Sequence, residues 1–186
     1  IDHASAGLNV YLKDMDFDSE GRPVILYLTS RGHQPGPPND PRTFCLLRWN
    51  GVEWQHAKIC AADHNYDTGS LYLDNEIWSV ILPGATGPQP YQCGAEIVKY
   101  ISHDQGATWY LEKQITHASP QNHNYVRRPL AATDSFYAFW ADGDPTQMSS
   151  SQLYFCDSTG ENVWRLPYDM DQAEARPERV IVEPSP

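Results

Sequence analysis

Residues Ser102–Trp109 read SHDQGATW, a glycine turn that ends on a tryptophan, and the same punctuation returns on either side, at WNGVEW (Trp49–Trp54) and STGENVW (Ser158–Trp164). Trp54, Trp109 and Trp164 stand 55 residues apart, so one unit recurs three times. Asn-Gly or Asp-x-Gly between apolar runs is a hairpin signal, because glycine supplies the positive φ that a tight β-turn requires.

Working outward from the three turns, alternation predicts four strands per unit. The first unit reads NVYLKDMDF, PVILYLTS, TFCLLRW and VEWQHAKIC; the second SLYLD, IWSVILP, AEIVKYIS and TWYLEKQIT; the third VRRPLAAT, FYAFWAD, SQLYFCD and NVWRLP. Four short antiparallel strands, repeated about every fifty residues, are the pattern of propeller blades. The expected fold is therefore all-β, a β-propeller with three four-stranded antiparallel blades at 9–60, 69–116 and 126–168. A tail at 169–186 begins a further strand in ERVIVEP, Glu178–Pro184. Propellers have roughly 4–8 blades, so a larger ring of about seven is expected, completed by remaining blades of the same protein or by another chain.

Composition agrees with this class and excludes others. The chain has 186 residues, 40% of them hydrophobic, enough to bury a core, and 15 Pro with 12 Gly favour short strands joined by turns. With 13 Lys+Arg against 24 Asp+Glu, the net charge of -11 argues against nucleic acid or an anionic membrane as partner. No apolar window is long enough to span a bilayer. The opening IDHASAGLN has neither a basic nor an apolar signal region, so no signal peptide is expected in this stretch. Cys45, Cys60, Cys93 and Cys156 form no C-x-x-C pair, which argues against a zinc ribbon or thioredoxin site and leaves them free or in up to two disulfides.

Sorting residues by loop sorts them by face. The one-two and three-four connections are tight turns on one face, whereas RGHQPGPPNDPR, GATGPQPYQCG, ADGDPTQMSSS and the links AADHNYDTG and HASPQNHNYVRR fall on the other. Long Gly/Pro-rich loops on a rigid scaffold are the usual seat of function, so the second face is the candidate. It carries His33, Arg42, His64, Tyr66, His117, His123, Tyr125, Arg127 and Arg128, and HNY occurs in both links, at His64–Tyr66 and His123–Tyr125. Asn65 and Asn124 are expected to cap their turns, with the tyrosines either packed between blades or facing a ligand. Of Arg127 and Arg128, strand alternation turns one toward a cleft and leaves the other to pair with a carboxylate. His33, His64, His123 and Cys93 match no short zinc spacing, and Asp142 with Asp144 lacks an EF-hand spacing; no metal ligand is expected, and a structural zinc or calcium stays open.

SHDQGATW fits the Asp-box, S/T-x-D-x-G-x-x-W, of sialidase-type repeats. With NVYLKDMDFDSEGRPVILY, HNYDTGSLY, NHNYVRRP, FYAFWADGDP and LYFCDSTGENVWRLP, the stretch from Asn9 to Pro167 resembles BNR-repeat propellers related to ulvan lyases and rhamnose-glucuronate lyases. That resemblance implies β-elimination on a uronate-containing polysaccharide, with an acidic polysaccharide or oligosaccharide as partner and a secreted, periplasmic or cell-surface location. The reaction needs a cation to neutralise the carboxylate, a base for the C5 proton and an acid for the leaving oxygen. The family's use of Arg, His and Tyr implies Arg127 or Arg128 as neutraliser, His64 or His123 as base and Tyr66 or Tyr125 as acid, with His33 and Arg42 as further substrate contacts. Because the chain aligns with later blades of longer members, other catalytic groups are expected outside it. Two further readings stay open: a sialidase- or rhamnosidase-type glycoside hydrolase, and a non-catalytic carbohydrate-binding propeller using Tyr66, Tyr91, Tyr125 and Trp140 as platforms. SHDQGATW itself reads as architecture, with Asp104 accepting backbone N–H groups across its turn.

Overall fold

The computed structural model describes residues 1–74, 76–169 and 171–180. It is all-β, with three antiparallel meanders in series and a single 3-10 turn at Pro37–Asn39 among the described residues. The first sheet has β1 (Asn9–Phe17), β2 (Pro23–Ser30), β3 (Thr43–Trp49) and β4 (Trp54–Ala61) in that order. The second has β5 (Ser70–Leu73), β6 (Trp78–Ala85), β7 (Glu96–Ser102) and β8 (Tyr110–Gln114). The third has β9 (Asn122–Arg127), β10 (Ala138–Gly143), β11 (Leu153–Cys156) and β12 (Val163–Arg165), with β13 (Glu178–Val180) added beyond β12.

Alternation decides which side chains meet between sheets. Val24, Leu26 and Leu28 point to one face of β2 and pack with Phe44 and Leu46 of β3 against Leu71, Val80 and Leu82 of the second sheet. The intervening residues of the second sheet, Tyr72, Ile81 and Ile97, pack on Ala138, Trp140 and Cys156 of the third. The sheets therefore stack face to face as propeller blades do, with apolar burial between successive sheets as the main stabilising term.

Two details differ from the sequence expectation. The first strand of the third sheet is NHNYVR, not VRRPLAAT: His123 exchanges backbone hydrogen bonds with Ala95, Asn122–Asn124 pair with Ala141–Gly143, and Pro129 cannot donate to a ladder beyond Arg127. His123–Tyr125 thus lie in a strand rather than a link. The tail does form a strand over Glu178–Val180, but it extends the outer edge of the third sheet by pairing with β12; Ile181–Pro184 of ERVIVEP lie outside the described residues.

Hydrogen bonds confirm the two faces. On one, Arg48 of β3 donates to the backbone and side chain of Gln105 in the next sheet's turn, and Lys99 of β7 donates to the Ser158 carbonyl at 3.0 Å in the turn of the sheet after that. On the other, loops and links meet: Asp63 accepts from the Tyr91 N–H at 2.7 Å, and Asn122 and Gln89 bond each other reciprocally.

The turn at Ser102–Trp109 belongs to the first of these faces. Asp104 accepts the Thr108 N–H at 2.9 Å and its hydroxyl at 2.6 Å, Ser102 Oγ accepts the Gly106 N–H at 2.8 Å, and the Trp109 indole donates to the Gly106 carbonyl at 3.1 Å. Gly106, at φ +86, sits so close to Leu46 and Trp78 that a Cβ would collide with the inter-sheet core. The Thr108 hydroxyl, followed by the Thr108 amide and Ser102, holds the Asp104 carboxyl down to about 2. Asp104→Ala should cost about 0.5–2 kcal/mol and spare activity, as read by urea unfolding. A depressed native pKa contributes stability above the unfolded value of 3.8 that is lost as pH falls through about 2, so the variant's deficit should shrink in that acid window.

Candidate functional site

The first strands β1, β5 and β9 lie side by side at the inner edge of the stack. The Leu71 N–H donates to Asp14 Oδ2 at 2.8 Å, and Ser70 Oγ donates to the Val126 carbonyl at 2.9 Å. Along them runs a cleft of about 500 Å³ lined by Lys13, Asp14, Asp16, Ser70, Arg127 and Arg128, with Met15 and Leu130 at its rim.

Its charges are not equivalent. Asp14 spends its oxygens on the Met15 and Leu71 amides, and Asp16 accepts the Phe17 N–H and pairs with Arg128. Arg128 also lies over the Tyr72 ring at 6.0 Å, which fixes it as part of the wall. Arg127 is exposed, and among the described residues its guanidinium bonds only its own strand's Val126 carbonyl, at 3.2 Å. Lys13 donates to the Asn65 carbonyl at 2.7 Å and forms no ion pair among the described residues. Burial pushes its ammonium down to about 8, opposed by Asp67 and Cys93 and aided by Arg127. The cleft therefore carries an exposed Arg127 and a half-buried Lys13, neither ion-paired among the described residues, while its carboxylates are engaged internally.

Beside Lys13, the link between the first two sheets is organised by Asp67, which is fully buried. One oxygen accepts the His64 and Asp63 amides at 2.9 and 3.3 Å, and the other accepts the Gly94 amide at 2.7 Å. Burial pushes its carboxyl up to about 7 despite those bonds. Asn124 ties β9 to the same link, accepting the Thr68 N–H at 2.9 Å and donating to the Tyr66 carbonyl at 3.3 Å and to Cys93 Sγ at 2.7 Å.

The two imidazoles are both committed. His64 is buried and its Nδ1 accepts the Tyr66 N–H at 3.2 Å, which places the neutral ring's proton on Nε2; burial, with Arg42 and Lys13, pushes its pKa down to about 4. His123 is buried on the far side of β9, where Nδ1 accepts the Trp140 indole N–H at 2.9 Å and Nε2 meets Ser119 Oγ at 2.9 Å. An indole can only donate, so here too the proton belongs on Nε2. His123→Ala should leave the Trp140 N–H unpaired beside a void and cost about 2–4 kcal/mol, measured as a lower urea midpoint.

The tyrosines behave differently. Tyr66 and Tyr125 are 54% and 56% exposed, so neither packs between blades. Tyr125, at φ 59, lines a second cleft of about 160 Å³ with Cys93, Asn122, Asn124, Asp142 and Asp144. The Cys93 sulfur, then partial burial, raises its phenol, with Arg127 opposing.

His33 and Arg42 stand away from both clefts. Among the described residues the His33 ring hydrogen-bonds only Gln34, at 3.0 Å. Arg42 is buried and clamps its own loop, donating to Asp40 at 2.7 Å and to the Gly36 and Gln34 carbonyls at 3.1 and 2.8 Å. All four cysteines are free. Asp142 accepts the Gln152 N–H and the Tyr154 hydroxyl, while Asp144 closes its own turn through Thr146 and Gln147. Among the described residues, no three His, Cys, Asp or Glu side chains come together as a metal site.

Sequence reasoning missed Lys13 and Asp67. A signal existed for the first: Lys13-Asp14 and Arg127-Arg128 are charged dipeptides in the first strands of their units, the strands that line a propeller's axis.

Fold and site together define a class: an all-β protein of stacked propeller blades with a cationic cleft along its inner strands. No family model matches the chain, and no curated protein does. Among solved structures, the chain is similar to the α-L-arabinanase of Penicillium chrysogenum complexed with arabinobiose. The identity is 14% and the TM-score 0.49, over 93% of this chain and 67% of the other.

Proposed function

We propose that this chain is part of a carbohydrate-active propeller, a lyase that cleaves a uronate-containing polysaccharide by β-elimination, as its resemblance to BNR-repeat ulvan and rhamnose-glucuronate lyases implies. The observation that carries the reading is a local one: on a protein of net charge -11, Lys13 and Arg127 share a cleft in which neither pairs with a carboxylate among the described residues. A sugar carboxylate is a ligand of matching charge.

In this reading Arg127 and Lys13 neutralise the carboxylate, which gains charge as the C5 proton leaves. Tyr125, a phenol that the Cys93 sulfur and partial burial push further up from its ordinary value, donates to the leaving oxygen, and Tyr66, in the link that Asn124 ties to β9, is the second phenol. His64 is the imidazole beside Lys13 and takes the base role, for which a bound substrate must displace the Tyr66 amide from Nδ1. His123 supports β9 through Trp140 and Ser119. Remaining blades, of the same protein or another chain, supply the rest of the sugar-binding surface.

The test is an assay of ulvan and of glucuronate-containing polysaccharides. Elimination yields a new C4–C5 double bond absorbing near the ultraviolet edge. Reducing sugar without that absorbance means hydrolysis instead, and binding without turnover means a carbohydrate-binding propeller. Tyr125→Phe should abolish most of the absorbance signal while leaving binding of the polysaccharide in place.

A further inference from the structure

Both sheet interfaces within the chain join the same two kinds of face. The forward face of the first sheet, bearing Leu26, Leu28 and Phe44, lies on the rear face of the second, bearing Leu71, Val80 and Leu82. The forward face of the second, with Tyr72, Ile81 and Ile97, lies on the rear face of the third, with Ala138, Trp140 and Cys156. This leaves one rear face and one forward face with no sheet against them among the described residues.

The open rear face belongs to the first sheet. Cross-strand pairing puts Met15, Ile25 and Leu47 in one row on it and Leu12 opposite Tyr27 in the next. Leu12 is 75% exposed and Met15 56%. An apolar groove of about 280 Å³ runs over this face between Leu12, Ile25, Leu47 and Trp54, bordered by the opening residues Ile1 and His3, whose imidazole lies edge-on against Tyr27 and covers it. Such a patch marks an interaction surface when it is contiguous.

The open forward face belongs to the third sheet. Phe139, Phe155 and Trp164 are direct cross-strand neighbours and point away from the buried row of Ala138, Trp140 and Cys156. They form a ladder with Phe136: Phe155 stacks on Trp164 at 5.1 Å and on Phe136 at 4.6 Å. Leu153, two residues before Phe155 on β11, is exposed on the same face.

We propose that a second copy of this chain seats the rear face of its first sheet on the forward face of the third sheet, head to tail. The two open faces are one of each kind, so the contact repeats a step the chain already makes twice, and the chain is complementary to itself. A heterologous contact of this kind closes when the rotation per step divides the circle. Two copies closed in this way give a ring of six sheets, within the roughly 4–8 blades of known propellers. β13 extends the outer edge of the third sheet by pairing with β12. The inner strands of the second copy then wall the side of the cleft opposite Lys13 and Arg127, so the site is shared between copies.

The test is the solution mass of the chain by light scattering across a range of micromolar concentrations. The expected value is twice the 21.1 kDa of one chain. A single-chain mass throughout overturns the proposal and leaves these faces to blades of different sequence. A ladder of longer species overturns the closed ring. The order of faces is read by Leu12→Asp on the rear face and Phe155→Asp on the forward face, each checked for native near-ultraviolet circular dichroism, with Leu153→Asp replacing Phe155→Asp should the latter not fold. Each variant alone should run as one chain, and an equimolar mixture should recover a two-chain species, because one intact face of each kind remains. A mixture that stays single-chain, or a pair lost in only one of the two variants, overturns the head-to-tail arrangement.

Discussion

Arg127→Ala is expected to lower lyase turnover on a uronate-containing polysaccharide by about 10²–10³-fold while leaving the urea midpoint unchanged. Two observations separate these readouts. The guanidinium of Arg127 is exposed and, among the described residues, bonds only the carbonyl of its neighbour Val126, so the fold loses little without it, within about 0.5 kcal/mol. Its charge, however, faces the cleft together with Lys13. Charge on the substrate carboxylate grows as the C5 proton departs, so the loss should fall on kcat as well as on kcat/KM. Arg128→Ala is the internal contrast. That residue pairs with Asp16 and lies over Tyr72, and its loss should appear as reduced stability with activity falling in proportion to the unfolded fraction. Equal effects of the two variants on kcat at full folding would overturn the division between them.

The second large effect is expected at Asp67. Asp67→Asn places an amide N–H₂ where the carboxylate accepted backbone N–H groups from Asp63, His64 and Gly94, and these donors are buried in the link that supports Lys13 and His64. Unpaired buried donors cost about 1–3 kcal/mol each, and with at least one oxygen retained the variant should lose about 2–4 kcal/mol. The pH dependence gives a signature of this carboxyl. Its native pKa, about 7, lies above the unfolded value of 3.8, so the folded form holds the proton more tightly between them. The stability from this group is fully present below about 3.8 and is lost as pH rises through about 7. The gap in unfolding free energy between wild type and variant should therefore be widest near pH 4 and narrow toward pH 8. A gap that stayed constant over that range would show Asp67 to be ionised throughout.

The strands were readable because their information is local. SHDQGATW and its two companions fix the hairpins, and alternation along PVILYLTS or IWSVILP fixes which face of the sheet each side chain takes. The start of β9 was not readable in that way. NHNY contains two asparagines and a histidine, types that read as turn, and it becomes a strand only because Ala95 and the end of β10 offer partners from elsewhere in the chain. The site divided along the same line. Arg127 and Arg128 were legible as a pair with two fates, since adjacent strand residues alternate. Asp67 was not, because a carboxylate in HNYDTG looks like any turn residue until Gly94 closes over it from a distant loop. Arg42 misled for the converse reason: its surroundings in sequence are a surface loop, yet that loop folds around the guanidinium and buries it.

The reach of Arg48 into the turn around Gln105, repeated by Lys99 into the turn around Ser158, bears on how such a chain can change length in evolution. Each of these cations secures the unit that follows it, so these two fastenings join immediate neighbours, while the Arg128–Asp16 pair ties the third unit to the first at the inner strands. A gene duplication or deletion that respects the 55-residue frame conserves every one of these fastenings, whereas one that cuts within a unit severs a fastening on both sides. The natural currency of variation in this architecture is accordingly the whole blade, and homologues should differ in blade number more readily than in strand number.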